Sequence, residues 1–222
     1  MFIKILKSSL PALALLCSLS ISPSAGASVL TIDNFTHVQT AIDRGNTVGS
    51  PTTVDHLTGT DLTNASRTFS AVASGTTYAN KEEIASGGNV LKITNGGTSA
   101  GTASIVWNFD PINFTAHGNA ILLEILSIDL GVQVEMIANG SSTSGVQSFS
   151  GPGSFWLGFD EFSDPAAFSS VNSFRLNFSG PAAWDGQFRV LATSFPVPLP
   201  PAFWLMGSVL LGGLGIRRRS TR

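Results

Sequence analysis

Among its 222 residues the chain has one cysteine, Cys17, and three histidines, His37, His56 and His117. That scarcity excludes a good deal of chemistry. Cys17 sits in an apolar N-terminal run, so a chain that loses this run keeps no thiol, disulfide or cysteine metal ligand. No histidine has a histidine or cysteine partner at metal-ligand spacing. Charged residues make up 12% of the chain. The stretch 28–195 shows no sustained helical period, which excludes a helical bundle.

The few charges are unevenly placed. All 14 acidic residues lie between Asp33 and Asp185. The basic residues in that stretch are Arg44, Arg67, Lys81, Lys92, Arg175 and Arg189. The middle of the chain therefore carries about −8, against −2 for the whole. Such a domain repels phosphates, which excludes nucleic acid as a partner, and it attracts divalent cations.

What the middle does contain is alternation. Ile105, Trp107 and Phe109 alternate with Val106 and Asn108, and Val132, Val134, Met136 and Ala138 with Gln133, Glu135 and Ile137. Phe174, Leu176 and Phe178 alternate with Arg175 and Asn177; Phe188, Val190 and Ala192 alternate with Arg189 and Leu191. Further strand-like runs are 29–35, 68–73, 90–94, 120–128 and 154–159. One face of each clear case is apolar, as in antiparallel strands with a core on one side. About ten strands without intervening helices predict an all-β fold, a two-sheet antiparallel β-sandwich or jelly roll, with a closed barrel as the alternative. The polar stretch 74–88 is read as a linker with a helical turn at 81–85. Residues 139–153 are read as a loop or hairpin, and Asp164 before Pro165 as the cap of a single helical turn.

No catalytic constellation emerges. Gly97-Thr98-Ser99-Ala100-Gly101 matches G-x-S-x-G, but it follows Asn95-Gly96 and precedes another strand, so it reads as a turn. No carboxylate pair is singled out for glycoside hydrolysis. Asp160, Glu161 and Asp164 are hard oxygen ligands on one loop, suited to Ca²⁺, with turn formation and capping as their other reading. Trp184, between Pro181 and Gly186, is the indole best placed on a loop for stacking on a sugar, with core or rim packing as its other and leading reading.

The two ends are of another kind. Lys4 and Lys7 precede an apolar run, and Ala25 and Ala27 fit a signal-peptidase site, which predicts a signal peptide over 1–27. At the other end Val197, Pro198, Leu199, Pro200 and Pro201 form a spacer that prolines keep out of regular structure. Residues 202–216 carry no charge and predict a short transmembrane helix. Arg217, Arg218, Arg219 and Arg222 then stop transfer and stay cytoplasmic.

This three-part tail resembles the PEP-CTERM sorting signal, and Val197 to Pro200 resemble its VPLPA-type variant, with Pro201 where the variant usually has alanine. The resemblance covers the tail and not the domain. It implies processing by an exosortase, transient anchoring in the inner membrane, and release to the surface of a bacterium with an outer membrane, often one that makes exopolysaccharide. The general layout of the domain is also similar to that of jelly-roll carbohydrate-binding modules. In those, the first and last strands often lie side by side and share a structural calcium; that likeness implies a second Ca²⁺ pair, Asp33 after the first strand and Asp185 before the last. The sequence thus predicts an exported, noncatalytic β-sandwich at 28–195, binding polysaccharide or calcium, with an extracellular glycan-acting enzyme as the alternative. No other cofactor is expected.

Overall fold

The structure is a computed structural model that describes residues 29–46 and 48–195. The signal segment with Ala25 and Ala27, the motif from Val197 to Pro201, the predicted span 202–216, and Arg217, Arg218, Arg219 and Arg222 lie outside the described residues. Among those described, no helix is long and apolar enough to cross a membrane.

Among the described residues regular structure is all β apart from three short 3₁₀ turns. One antiparallel sheet holds β1 (Leu30–Asp33), β2 (Gln39–Asp43), β3 (Val48–Gly49), β6 (Glu82–Gly87), β7 (Val90–Asn95), β9 (Ala120–Ile128), β12 (Gly153–Gly158) and β14 (Asp185–Ser194). The other holds β4 (Thr52–Val54), β5 (Ser66–Val72), β8 (Thr102–Ile112), β10 (Val132–Ala138), β11 (Ser142–Phe149) and β13 (Val171–Ser179). The order is β12-β9-β14-β7-β6-β2-β3 in the first, with β1 also on β14, and β11-β10-β13-β8-β5-β4 in the second. The alternating residues named above explain the sandwich. Ile105, Trp107, Val134, Met136, Phe174, Leu176 and Phe178 face inward, each at most 2% exposed. Phe114, Phe159, Phe162 and Phe168 close one end of the core, with the rings of Phe159 and Phe168 stacked at 4.0 Å.

Two expectations are corrected, and one of two alternatives is chosen. Residues 82–87 form a strand and not a helical turn: Glu82, Ile84 and Ser86 point inward, and two polar residues at inward positions conceal the period. Of the loop and hairpin readings of 139–153 the hairpin holds: residues 142–149 form β11, paired with β10, whose inward positions include Ser142 and Ser144. In β14 the apolar alternation breaks, because Leu191 as well as Phe188 and Ala192 is buried. Phe188 opposes Ile125 and Leu191 opposes Leu123, so three steps on β14 match two on β9, a bulge that turns Leu191 inward.

Between the sheets lies a buried ion pair. Arg67 Nη1 on β5 donates to Asp33 Oδ2 on β1 at 2.6 Å, and neither side chain is exposed to solvent. Arg67 Nε donates to Gln39 Oε1, and Nη2 to the His37 carbonyl and Ser86 Oγ. Asp33 also accepts from Trp107 Nε1 at 2.9 Å and from the Phe35 amide at 2.7 Å. The guanidinium lies 4.4 Å from the Phe69 ring centroid. Burial lowers the Arg67 pKa, and the Asp33 charge and hydrogen bond oppose that shift.

Replacing Asp33 by Ala strands that cation in the core. We expect a loss of about 3–5 kcal/mol in urea unfolding; a loss below about 1 kcal/mol would show that the core tolerates the unpaired guanidinium.

Candidate functional site

The outward face of the six-stranded sheet is a polar surface built by regular structure. Register places Val146, Glu135, Asn177, Ser104 and Ser70 in one row across β11, β10, β13, β8 and β5. Five strands at the usual spacing make that row about 19 Å long. Hydrogen bonds fix its side chains. Glu135 Oε1 accepts from Thr143 Oγ1 at 2.8 Å and Oε2 from Asn177 Nδ2 at 3.0 Å, and Ser179 Oγ donates to Gln133 Oε1 at 3.4 Å.

A groove of about 320 Å³ runs over Ser70, Ser104, Gln133, Glu135, Asn177 and Ser179, with the exposed Val72 and Val146 on its walls. It adjoins a hollow of about 670 Å³ at the end of the sheet, lined by Ser148, Phe149, Ser150 and Gly180; Gln133 and Ser179 line both. These volumes lie within the range of small-molecule sites. The sequence could not single out this face. Its residues are the ordinary polar halves of alternating strands, and their convergence depends on cross-strand register.

The predicted ligand residues fare differently. Trp184 is fully buried, in keeping with the packing reading, and the sugar-stacking reading is corrected. Its indole Nε1 donates to the Gly101 carbonyl at 3.2 Å, and its ring lies against Gly180, where a Cβ would fall 2.6 Å from the ring. Turn-forming neighbours disguised a core residue. Among the described residues the exposed large aromatics are Trp156 on β12, 49% exposed, Tyr78, 61% exposed and 4.9 Å from the Arg44 guanidinium carbon, and Phe195 after β14, 38% exposed.

The predicted calcium groups do not assemble. β1 and β14 do lie side by side, but antiparallel, with Asp33 opposite Leu191. Asp185 is six residues farther along β14, about 20 Å away. Asp33 is committed to Arg67. Asp164 caps the 3₁₀ turn Pro165–Ser169 through the Ala166 amide, as predicted, and Glu161 Oε1 accepts from the Gly158 amide. Asp160 is the middle residue of the 3₁₀ turn Phe159–Glu161 and is exposed. Among the described residues, no three His, Cys, Asp or Glu side chains converge as metal ligands. Ser99 of the G-x-S-x-G stretch is buried in a turn, its amide bonded to the Gly96 carbonyl and its hydroxyl accepting from the Ser74 amide.

One carboxylate overlooked in the sequence stands apart. Glu82 is fully buried, and neither of its carboxylate oxygens has a hydrogen-bond partner. Burial, then Asp185, then Asp43 push its pKa up from 4.5 to about 9.

No family model matches this chain, and no curated protein matches it. Among solved structures, it is similar to the family 11 carbohydrate-binding module of the cellulosomal cellulase Lic26A-Cel5E of Clostridium thermocellum. That match has 11% identity and a TM-score of 0.37, over 79% of this chain and 100% of the other. A second is the family 11 module from Clostridium thermocellum in complex with a β-1,3-1,4-mixed-linked tetrasaccharide. Its values are 12% identity, a TM-score of 0.32, and 72% and 98% coverage. At such TM-scores the likeness transfers neither a ligand nor a residue.

The Glu82 shift has a measurable consequence in chelator. The unfolded side chain loses its proton above about pH 4.5, and the folded one holds it up to about pH 9. Rising pH between these values therefore favours the unfolded state. Unfolding free energy should fall from pH 5 to pH 8.5 in EDTA, and Glu82→Gln should flatten that slope. A slope unchanged by the substitution would assign it to other groups.

Proposed function

We propose that the chain is an exported cell-surface or matrix protein, sorted by an exosortase, whose sandwich is a noncatalytic module that binds polysaccharide through the outward face of the six-stranded sheet. The observation that carries the binding reading is the groove over Gln133, Glu135, Asn177 and Ser104. It is long, open and lined with amide, hydroxyl and carboxylate groups, which suit sugar hydroxyls. Val72 and Val146 add apolar walls for the C–H faces of a sugar ring. The domain charge of about −8 favours a neutral glycan over a polyanion.

The groove has one carboxylate, Glu135, and both of its oxygens already accept hydrogen bonds. Glycoside hydrolysis ordinarily needs two carboxylates flanking the scissile bond. That shortage supports the noncatalytic reading over the enzymatic one.

A screen of the 28–195 domain on immobilised glycans tests the module. Asn177→Ala and Gln133→Ala should each weaken binding about 3- to 10-fold, as expected for lost hydrogen bonds. Unchanged binding in both variants would move the site off this face.

Export and sorting rest on the two ends. The arginines oppose translocation, the apolar run holds the chain in the bilayer, and the prolines leave the backbone accessible to an enzyme. Replacing Pro198 and Pro200 by Ala should leave membrane insertion intact and block release in a host with an exosortase. Replacing Arg217, Arg218 and Arg219 by Ser should let the tail slip through. If the proline variant reaches the surface in wild-type amounts and still ends at Arg222, the tail is a plain anchor.

A further inference from the structure

The groove ends on β11, but the concave surface continues. Groove and hollow share Gln133 and Ser179. Phe149, the last residue of β11, lines the hollow and also a third concavity, a cleft of about 340 Å³. That cleft lies between the edge strands of the two sheets, bordered by Gln147 of β11 and by Ser154 and Trp156 of β12. The rings of Phe149 and Phe155 stand 4.6 Å apart across it. Groove, hollow and cleft thus follow one another around the corner at which the chain passes from β11 to β12.

Trp156 differs from the other indoles. Trp107 and Trp184 are fully buried, and each donates its indole N–H inside the core, to Asp33 and to the Gly101 carbonyl. Trp156 is half-exposed, and among the described residues its N–H has no acceptor and its ring no aromatic or cationic neighbour. Its place on an edge strand leaves the ring open, since no strand lies beyond β12. Tyr78, by contrast, has one face turned to the Arg44 guanidinium. The groove has the complementary lack. Its side chains can bond sugar hydroxyls, but none of its exposed residues is aromatic. Such hydrogen bonds replace bonds to water and give little net affinity. An indole adds what they do not: it takes the C–H face of a pyranose out of water, and its N–H can bond a sugar hydroxyl.

We propose that Trp156 is the terminal sugar platform of the glycan site: a chain lying in the groove crosses the hollow, turns the corner at Phe149 and stacks one pyranose on the indole, between Gln147 and Ser154. This subsite rests on the glycan reading of the groove and extends it. A short glycan in the groove does not reach the indole, so the subsite selects polymer over its fragments. A path that turns a corner suits a single soluble chain and excludes a flat crystalline array.

The test uses the full-length protein in detergent and neutral gluco-, manno- and galacto-oligosaccharides, from disaccharides to octasaccharides, with affinity read by calorimetry. In the series that binds, Trp156→Ala should weaken octasaccharide binding about 3- to 10-fold and leave the disaccharide within about 2-fold. Trp156→Phe, which keeps a ring, should restore most of the loss. Gln133→Ala should weaken both lengths. The octasaccharide, and not the disaccharide, should shift the tryptophan emission of the wild type, and Trp156→Phe should lose that shift. A Trp156→Ala protein that binds the octasaccharide as tightly as wild type overturns the platform and leaves the groove reading standing. Loss of binding at every length in Trp156→Ala, with Gln133→Ala silent, overturns the groove reading and the continuous path with it. A wild type that binds none of the series sinks both. Should Trp156→Ala fail to fold, the wild type decides: an emission shift that appears with chain length supports the platform, and a bound octasaccharide without a shift overturns it.

Discussion

The buried pair of Arg67 and Asp33 is the contact on which the rest of the sandwich depends. Hydrophobic burial holds two sheets together but is nondirectional, and no described residue is a cysteine that could fasten them. The guanidinium of β5 reaches across the core to Asp33 of β1, Gln39 of β2 and Ser86 of β6, and Trp107 of β8 donates to the same carboxylate. One cluster thereby relates two strands of one sheet to three of the other. Taking two charges out of water costs several kcal/mol per ion, and their attraction with these hydrogen bonds offsets that cost. The cluster's contribution is geometrical. A slipped sheet would break its hydrogen bonds while leaving much of the apolar contact intact.

Glu82 shows the opposite case under the same rule. Buried charges are paired, ligated or neutralised. Asp33 has a cation, whereas Glu82 has two aspartates nearby and no partner. Both residues lie on inward faces of the eight-stranded sheet. On the outward face of the six-stranded sheet, Glu135, Asn177 and Gln133 are held by hydrogen bonds between neighbouring strands.

The sandwich was legible wherever inward positions were apolar, as in the runs around Trp107, Val134 and Phe174. Legibility failed where inward positions were polar. β6 places Glu82 and Ser86 inside, and β11 places Ser142 and Ser144 inside, so neither shows an apolar period. Bulges defeat the same reading, as at Leu191. Composition did flag the acidic excess, but sequence cannot tell a carboxylate that caps a turn, such as Asp164, from one with no partner. Asp33 and Arg67 are 34 residues apart, and only the folded register brings them together. The groove was hidden for the same reason, since its row of residues comes from five strands. The ends of the chain were the reverse: their compact, contiguous signals need no tertiary context.

On the proposed reading, a core fixed by buried polar contacts presents the outward face of the six-stranded sheet to a glycan. Backbone amide chemical shifts of isotopically labelled 28–195, followed during titration with a neutral oligosaccharide that binds, test this most directly. The account predicts perturbations concentrated at Ser104, Gln133, Glu135 and Asn177, with the amides around Asp33 and Arg67 unmoved. Perturbations centred on Trp156 or Tyr78, with the groove silent, would contradict it.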